Sequence, residues 1–451
     1  MNWIVRKGNA LKLNQALRNL IALLMLAVFI FAGCQGQDLL QSVFPGDEAV
    51  TVAPDETLVP VEENPSDFAK SPPPPSFYDL VIWVPPQFNP KSDSEAGKLL
   101  GARIQDFLQE NPAVNLSVRV KAASGPGGLL ETLEKTRDVA PIAVPSLVLI
   151  TRSDMIQAVE KDLLFPIEGT STAIDDNDWY NFSRDLGIYS GTVYGLPFAS
   201  NALGLVFRDM KLGQNSMSWE DSFRIFDTFI FPAGASNALV PLSMYASAGG
   251  IIDNQQDIHP ISPEILERIL DVIDTGARTG VLSPVISELK TDDQSWEYFE
   301  TGGYDAVITW INRFLSTDEN YQLAPVPSIG IDPHTFASGW TWCLTDPNKG
   351  NHEYVISLAE YLTDTDFLSQ WAPLSGYLPV RPSSMKKWVD GQDEGTINSI
   401  LFSAALIPDQ SDIDGINTEI TTVVVEVLTG QVSPAVGALS AFERMEANGS
   451  P

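Results

Sequence analysis

Leu80–Val84 is an unbroken apolar run of strand length, and Leu147–Ile150 is another. Between them, Leu100, Ile104, Phe107 and Leu108 recur on one face at helical spacing, and Asn111-Pro112 ends that helix. Leu116, Val118 and Val120 then alternate with Ser117 and Arg119, the mark of a half-buried strand. The turn Gly125–Gly128 opens a helix through Leu129, Leu130 and Leu133, and Ser153-Asp154 is placed to cap another bearing Ile156 and Val159. Alternation of this kind predicts an α/β fold with parallel strands and crossover helices. In such sheets ligands bind beyond the carboxyl ends of the strands. Thr151, Arg152 and Asp154, which follow the Leu147–Ile150 strand, are therefore candidate ligand contacts.

The chain begins differently. Before Leu20 it carries Arg6, Lys7, Lys12 and Arg18 and no acid, and Leu20–Gly33 is uncharged up to Cys34. A basic start, a short apolar run and a small-residue exit describe a secretory signal peptide over 1–33. The run is shorter than the roughly 20 residues a membrane-spanning helix needs. Phe31-Ala32-Gly33-Cys34 resembles the bacterial lipoprotein signal, which implies acylation of Cys34 and an anchor of more than one chain. Residues 34–76 follow as an acidic, Pro-rich stretch ending in Pro72–Pro75, with no helical or strand period. They read as an unfolded spacer stiffened by polyproline.

Composition narrows the function. The 451 residues hold 27 Lys+Arg against 58 Asp+Glu, a formal charge of −31. That balance excludes phosphate-backbone binding, which needs a basic face, and adhesion of the protein surface to anionic lipid. Three His and two Cys, with no CxxC or HExxH, leave no zinc site in view. Cys343, once Cys34 is acylated, is a lone thiol without a disulfide partner and reads as a small core residue. No GxSxG or GxxxxGK[ST] occurs; Ser383-Ser384-Met385-Lys386 spells SxxK, but the SDN and KTG elements that give it meaning are missing, and it reads as a helix N-terminus. Asp409–Gly415 has calcium-loop residue types without EF-hand spacing. No metal or cofactor is expected.

Several segments, in order, resemble the extracellular solute-binding proteins of ABC transporters, family 1, the sugar-binding group. Phe107–Pro112 followed by Leu116–Val120, Asp162–Ile167, and Tyr194–Phe198 running into Leu203–Phe207 are similar to family landmarks. So are Ala248–Asp253, Phe299–Gly302, Ala324–Pro327, Ser338–Trp340, Gly376–Arg381 and Val427–Gly430. Departures include Val144-Pro145-Ser146-Leu147 where the family has an Asp, and Arg208-Asp209 where it has Asn. The resemblance implies a periplasmic-binding-protein-like (type II) fold: two α/β lobes joined by crossing hinge strands, with the ligand between them. Its implied division is 77–200 for lobe 1, 201–323 for lobe 2, 324–372 for lobe 1 again, and 373–451 for C-terminal helices on lobe 2.

The resemblance also points to ligand contacts. Trp340 stands where the family commonly places a stacking aromatic, and Trp310 falls near a second such position with Arg313 beside it. Asn201 lies on the implied inter-lobe crossing, and Arg381 near the last one. Sugars present apolar faces ringed by hydroxyls, so a site for them joins flat aromatics to amide and charged groups. The expected function is a monomeric, lipid-anchored receptor on the outer face of the membrane. It would capture a mono- or oligosaccharide by lobe closure, deliver it to an ABC permease and perform no catalysis. The alternatives are a receptor for a polyol phosphate or peptide, and a lipid-anchored glycan-active enzyme.

Overall fold

The computed structural model describes residues 77–449 apart from 168, 170, 209–216, 253–260, 331–332, 389–393, 410–412 and 414. The leader, Cys34, the Pro-rich arm and most of the Asp409–Gly415 loop lie outside the described residues. Among those described, no helix is long and apolar enough to cross a membrane.

The first strand, β1 (Tyr78–Val84), is apolar from Leu80 onward, where both its faces are covered. Leu80, Ile82 and Val84 enter one hydrophobic cluster and Trp83 the other. Helix α1 (Glu95–Glu110) is capped by the Ser94 side chain, buries Leu100, Ile104 and Phe107, and stops at Asn111. Strand β2 (Val114–Val120) pairs parallel with β1 at the sheet edge, where only Val114 is buried and Val120 is exposed. The alternation at Leu116, Val118 and Val120 thus marks a strand more open to solvent than a half-buried one. Helix α2 (Leu129–Val139) leads to β3 (Leu147–Thr151), parallel to β1, and β3 to α3 (Arg152–Glu160). Thr151 caps α3: its Oγ1 accepts the Asp154 N–H at 3.2 Å. That corrects the expected Ser153-Asp154 cap, since both residues lie inside the first turn.

After α4 (Asn181–Asp185) and a hairpin of β4 (Ile188–Tyr189) and β5 (Thr192–Val193), the chain enters β6 (Gly195–Arg208), buried except at Arg208. Then come α5 (Trp219–Ile225), β7 (Phe229–Ile230), α6 (Leu239–Ser247), α7 (Pro263–Thr279), α8 (Asp292–Glu300), β8 (Ala306–Trp310), α9 (Ile311–Leu315) and β9 (Tyr321–Ala324). Strand β10 (Thr335–Leu344) precedes α10 (His352–Leu362), α11 (Thr365–Ser375), α12 (Pro382–Lys386), α13 (Glu394–Ser403), β11 (Ala404–Leu406), α14 (Ile416–Leu428) and α15 (Pro434–Gly449).

The main sheet runs β2-β1-β3-β10-β6-β8-β7, with β11 on β10 and β9 on β6. β6 is the element common to both lobes. Up to Ala202 it pairs antiparallel with β10, and from Leu203 onward with β8 and, over Leu205–Arg208, with β9. β10 also pairs antiparallel with β3, so a strand made late in the chain fills the centre of the first lobe. Helices α14 and α15 pack on α7 in the second lobe.

Two implied boundaries move. The buried Ala324–Pro327 segment does not return to the first lobe: Ser328 exchanges backbone hydrogen bonds with Met217 and Trp219, and the chain rejoins β6 and β3 only in β10. Residues 373–388 likewise stay on the first lobe, where α12 packs on α11 and the Ser383 N–H donates to Asp178. Cys343 is fully buried, and burial pushes its thiol well above its ordinary value, which leaves it unreactive.

Candidate functional site

The carboxyl ends of β1 and β3 and the middle of β10 meet at a patch of aromatic rings. Phe88, in a short turn after β1, lies 5.2 Å from Trp340, 5.1 Å from Tyr377, and 5.8 Å from both Phe198 and Trp371, centroid to centroid. Trp340 is register partner to Thr151 on β3 and to Ala199 on β6. Gly339 beside it has no room for a side chain, because a Cβ there would come within 2.7 Å of the Ala199 carbonyl oxygen. That close approach keeps β10 tight on β6 and leaves the Trp340 ring half-exposed above the buried cluster.

Three adjoining recesses open from this patch. The first, about 450 Å³, is bounded by Trp340 and Tyr377 from the first lobe, by Trp310, Asn312 and Arg313 from the second, and by Ser200 and Asn201 of β6. The second, about 600 Å³, adds Thr151, Arg152 and the Leu406–Asp409 strand end to Ser338 and Trp340. The third, about 930 Å³, is reached past Arg152 and Asp409 and includes Tyr189, Asp185 and His334. Ile407 lines all three, so they form one continuous cleft.

Polar groups in the cleft are largely engaged. Arg152 Nη1 donates to the Asp185 and Ile188 carbonyls at 2.5 and 2.7 Å, and Nε stands 3.6 Å from the Asp409 carboxylate. The Arg313 guanidinium is held by Asp292 at 2.5 Å and by Asp293. Burial raises the Asp292 carboxyl above the usual range, against hydrogen bonds from Arg313 and Thr309 that lower it. Burial also raises Asp185 and Tyr377 and depresses His334. Among the described residues no cluster of His, Cys, Asp and Glu is arranged to hold a metal ion.

The cleft brings together Thr151, Arg152, Asn201, Trp310, Arg313 and Trp340. Two other expected contacts line none of the recesses. Asp154 sits in the first turn of α3 with its N–H on Thr151, and desolvation raises its carboxyl. Arg381 is 6% exposed: its Nε donates to the Thr363 carbonyl at 3.0 Å, Nη1 to Asp176 at 3.0 Å, and the guanidinium stacks on Trp179 at 3.8 Å. It fastens α12 to the first lobe. Arg381→Ala is expected to cost about 1.5–3 kcal/mol, the range for hydrogen bonds to a charged group, and to leave ligand affinity unchanged. Chemical denaturation beside calorimetric titration checks both halves. Tyr377, Ser338, Tyr189, His334 and Ile407 line the cleft and had not been singled out. Tyr377 and Ser338 carry a signal, as parts of the Gly376–Arg381 and Ser338–Trp340 landmarks.

Residues 102–393 match the family model described as bacterial extracellular solute-binding protein. The chain belongs to that family. A member of it works outside the cytoplasm, and the cleft between the lobes is where such a protein would hold its solute. No curated protein matches the sequence. Among solved structures, this solute-binding protein is similar to a cyclo/maltodextrin-binding protein complexed with maltotetraose (18% identity, TM-score 0.64, covering 84% of this chain and 98% of that one). It is similar too to a cyclic alpha-maltosyl-1,6-maltose binding protein from Arthrobacter globiformis (15%, 0.63, 82% and 98%). The sugar-binding protein MalE from Xanthomonas citri is a further likeness (16%, 0.61, 82% and 97%). At these identities the likeness establishes the fold: two α/β lobes of the periplasmic-binding-protein type.

Proposed function

We propose that this solute-binding protein is the receptor of an ABC importer and that its solute is a carbohydrate, a mono- or oligosaccharide. The observation that carries the reading is the recess in which Trp340 and Trp310, from different lobes, share one space with the Ser338 hydroxyl and the Asn201 and Asn312 amides. Rings for the C–H faces of a sugar and short polar groups for its hydroxyls are what such a ligand requires. A cyclo/maltodextrin-binding protein complexed with maltotetraose and a cyclic alpha-maltosyl-1,6-maltose binding protein share the fold, which supports the class. A phosphorylated polyol is less well served, because both cleft guanidiniums are already committed to carboxylates.

The lobes close on the solute because it binds the closed arrangement better than the open one, and the closed form docks on a permease. The chain itself performs no catalysis, acts as a monomer and is held at the membrane by acylated Cys34. A thermal-shift screen of the body from Tyr78 to Pro451 tests this, with maltotetraose among the mono- and oligosaccharides and with polyol phosphates and peptides as controls. A sugar at 100 times its dissociation constant adds about 2.7 kcal/mol, a rise of several degrees in the midpoint. A rise with controls alone would overturn the carbohydrate assignment, and consumption of the sugar would show an enzyme instead.

A further inference from the structure

Ser200 and Asn201 are the polar residues in the middle of an otherwise apolar, buried stretch of β6, and they stand where β6 changes partner. Each holds a different arm of the site. Ser200 exchanges backbone hydrogen bonds with Leu378 at 2.9 and 2.8 Å, and its Oγ donates to the Leu378 carbonyl at 3.1 Å, which fixes the arm that carries Tyr377. Asn201 reaches the other way, to the helix that follows Trp310.

That helix, α9, has a defect that Asn201 repairs. Its N-cap position is Trp310, whose indole offers no acceptor to the first turn, and no side chain of the helix caps it. The orphan N–H at the second helical position belongs to Asn312 and is satisfied by Asn201 Oδ1 at 3.1 Å. Asn201 therefore acts as a helix cap supplied by another element. Its Oδ1 also accepts the Ala202 N–H at 3.0 Å, and its Nδ2 donates to Asn312 Oδ1 at 2.8 Å. At 8% exposure these bonds are shielded from water and hold a fixed geometry.

The geometry points to Asn201 as a positioning residue that sets the Trp310 arm of the second lobe against the Trp340 face of the first. This inference rests on the receptor reading, since it is the sharing of one solute by the two rings that makes their relative setting matter. Trp340 is fixed on β10 opposite Ala199, and Asn201 lies two residues further along the same strand. Through Asn201, the strand that carries one ring in its register also caps the helix behind the other. Without the clasp, β8 still holds Trp310 opposite Leu203 on β6, but the first turn of α9 loses its cap and its tie to that strand, and a solute that bridges the rings must itself order them.

The test compares Asn201→Ala, Asn201→Asp and Asn312→Ala by solution scattering and calorimetric titration, with maltotetraose as the probe sugar. Asn201→Ala is expected to broaden the distribution of lobe separations in the sugar-free protein and to weaken maltotetraose about tenfold. Asn201→Asp keeps an acceptor for both N–H groups and, with the Asn312 amide turned so that its Nδ2 donates to the carboxylate, should restore the wild-type scattering curve. Asn312→Ala, which deletes only the side-chain pair, should fall between them and gives the answer even where Asn201→Ala fails to fold. A merely structural role would lower the melting midpoint and leave the scattering curve of the folded protein unchanged. Sugar-free curves of Asn201→Ala or Asn312→Ala that superimpose on wild type overturn the inference. If wild type itself ignores every sugar, the carbohydrate assignment falls, whereas the lobe-setting role is still decided by the sugar-free curves.

Discussion

Phe88→Ala is expected to destabilise the protein by about 3–5 kcal/mol, the cost of emptying a fully packed aromatic position. Phe88 is 1% exposed and touches the rings of Trp340, Tyr377, Phe198 and Trp371. Those neighbours arrive from β6, β10, α11 and the segment after α11, none of which can shift far enough to refill the space. Edge-on and tilted ring contacts add about 0.5–1.5 kcal/mol each beyond the area buried. Guanidinium denaturation would show a lower midpoint at unchanged slope, and near-ultraviolet circular dichroism would show the indole bands of Trp340 and Trp371 altered. A loss below about 1 kcal/mol would mean that the cluster repacks and that it does not hold the site in place.

Trp340→Ala has its largest effect on binding. The ring is half-exposed, faces two recesses and is held from behind by Phe88, so a sugar stacked on it loses a pre-formed apolar wall. Removal of a central aromatic anchor costs about 2–3 kcal/mol, a factor of about 30–150 in affinity. Trp340→Phe keeps a flat face and should recover most of it. Titration calorimetry with the sugar identified by thermal shift measures both. An alanine variant that binds as tightly as wild type would move the solute out of the first two recesses and into the space around Tyr189 and His334.

The first lobe was legible because its strands are covered on both sides. Leu80–Val84 and Leu147–Ile150 had to be apolar at every position, and a run of that length has few other uses. The alternation at Leu116–Val120 gave the strand but overstated its burial, since pattern shows periodicity and not which strand ends up at an edge. At the site, Trp340 and Trp310 were recoverable from the landmarks around them. Arg381 and Asp154 show the limit: a sequence shows where a charge is attached, not where its head group goes. The Arg381 partner Asp176 is 205 positions away, and nothing local announces it. Ile407 was invisible for a similar reason, because Ala404–Leu406 becomes a strand only by pairing with β10.

Strand β10 has one more consequence, for the order of events in synthesis and export. It sits between β3 and β6, yet both neighbours are made long before it; Thr345, just after β10, closes on the Pro145 carbonyl across 200 positions of chain. A nascent chain that has not reached Thr335 therefore holds the first lobe with its central slot empty and the flanking strand edges of β3 and β6 open. Closure across so long a stretch is slow. For a protein that works outside the cytoplasm that delay is useful, because a chain that cannot complete its first lobe early stays loose until β10 has been made.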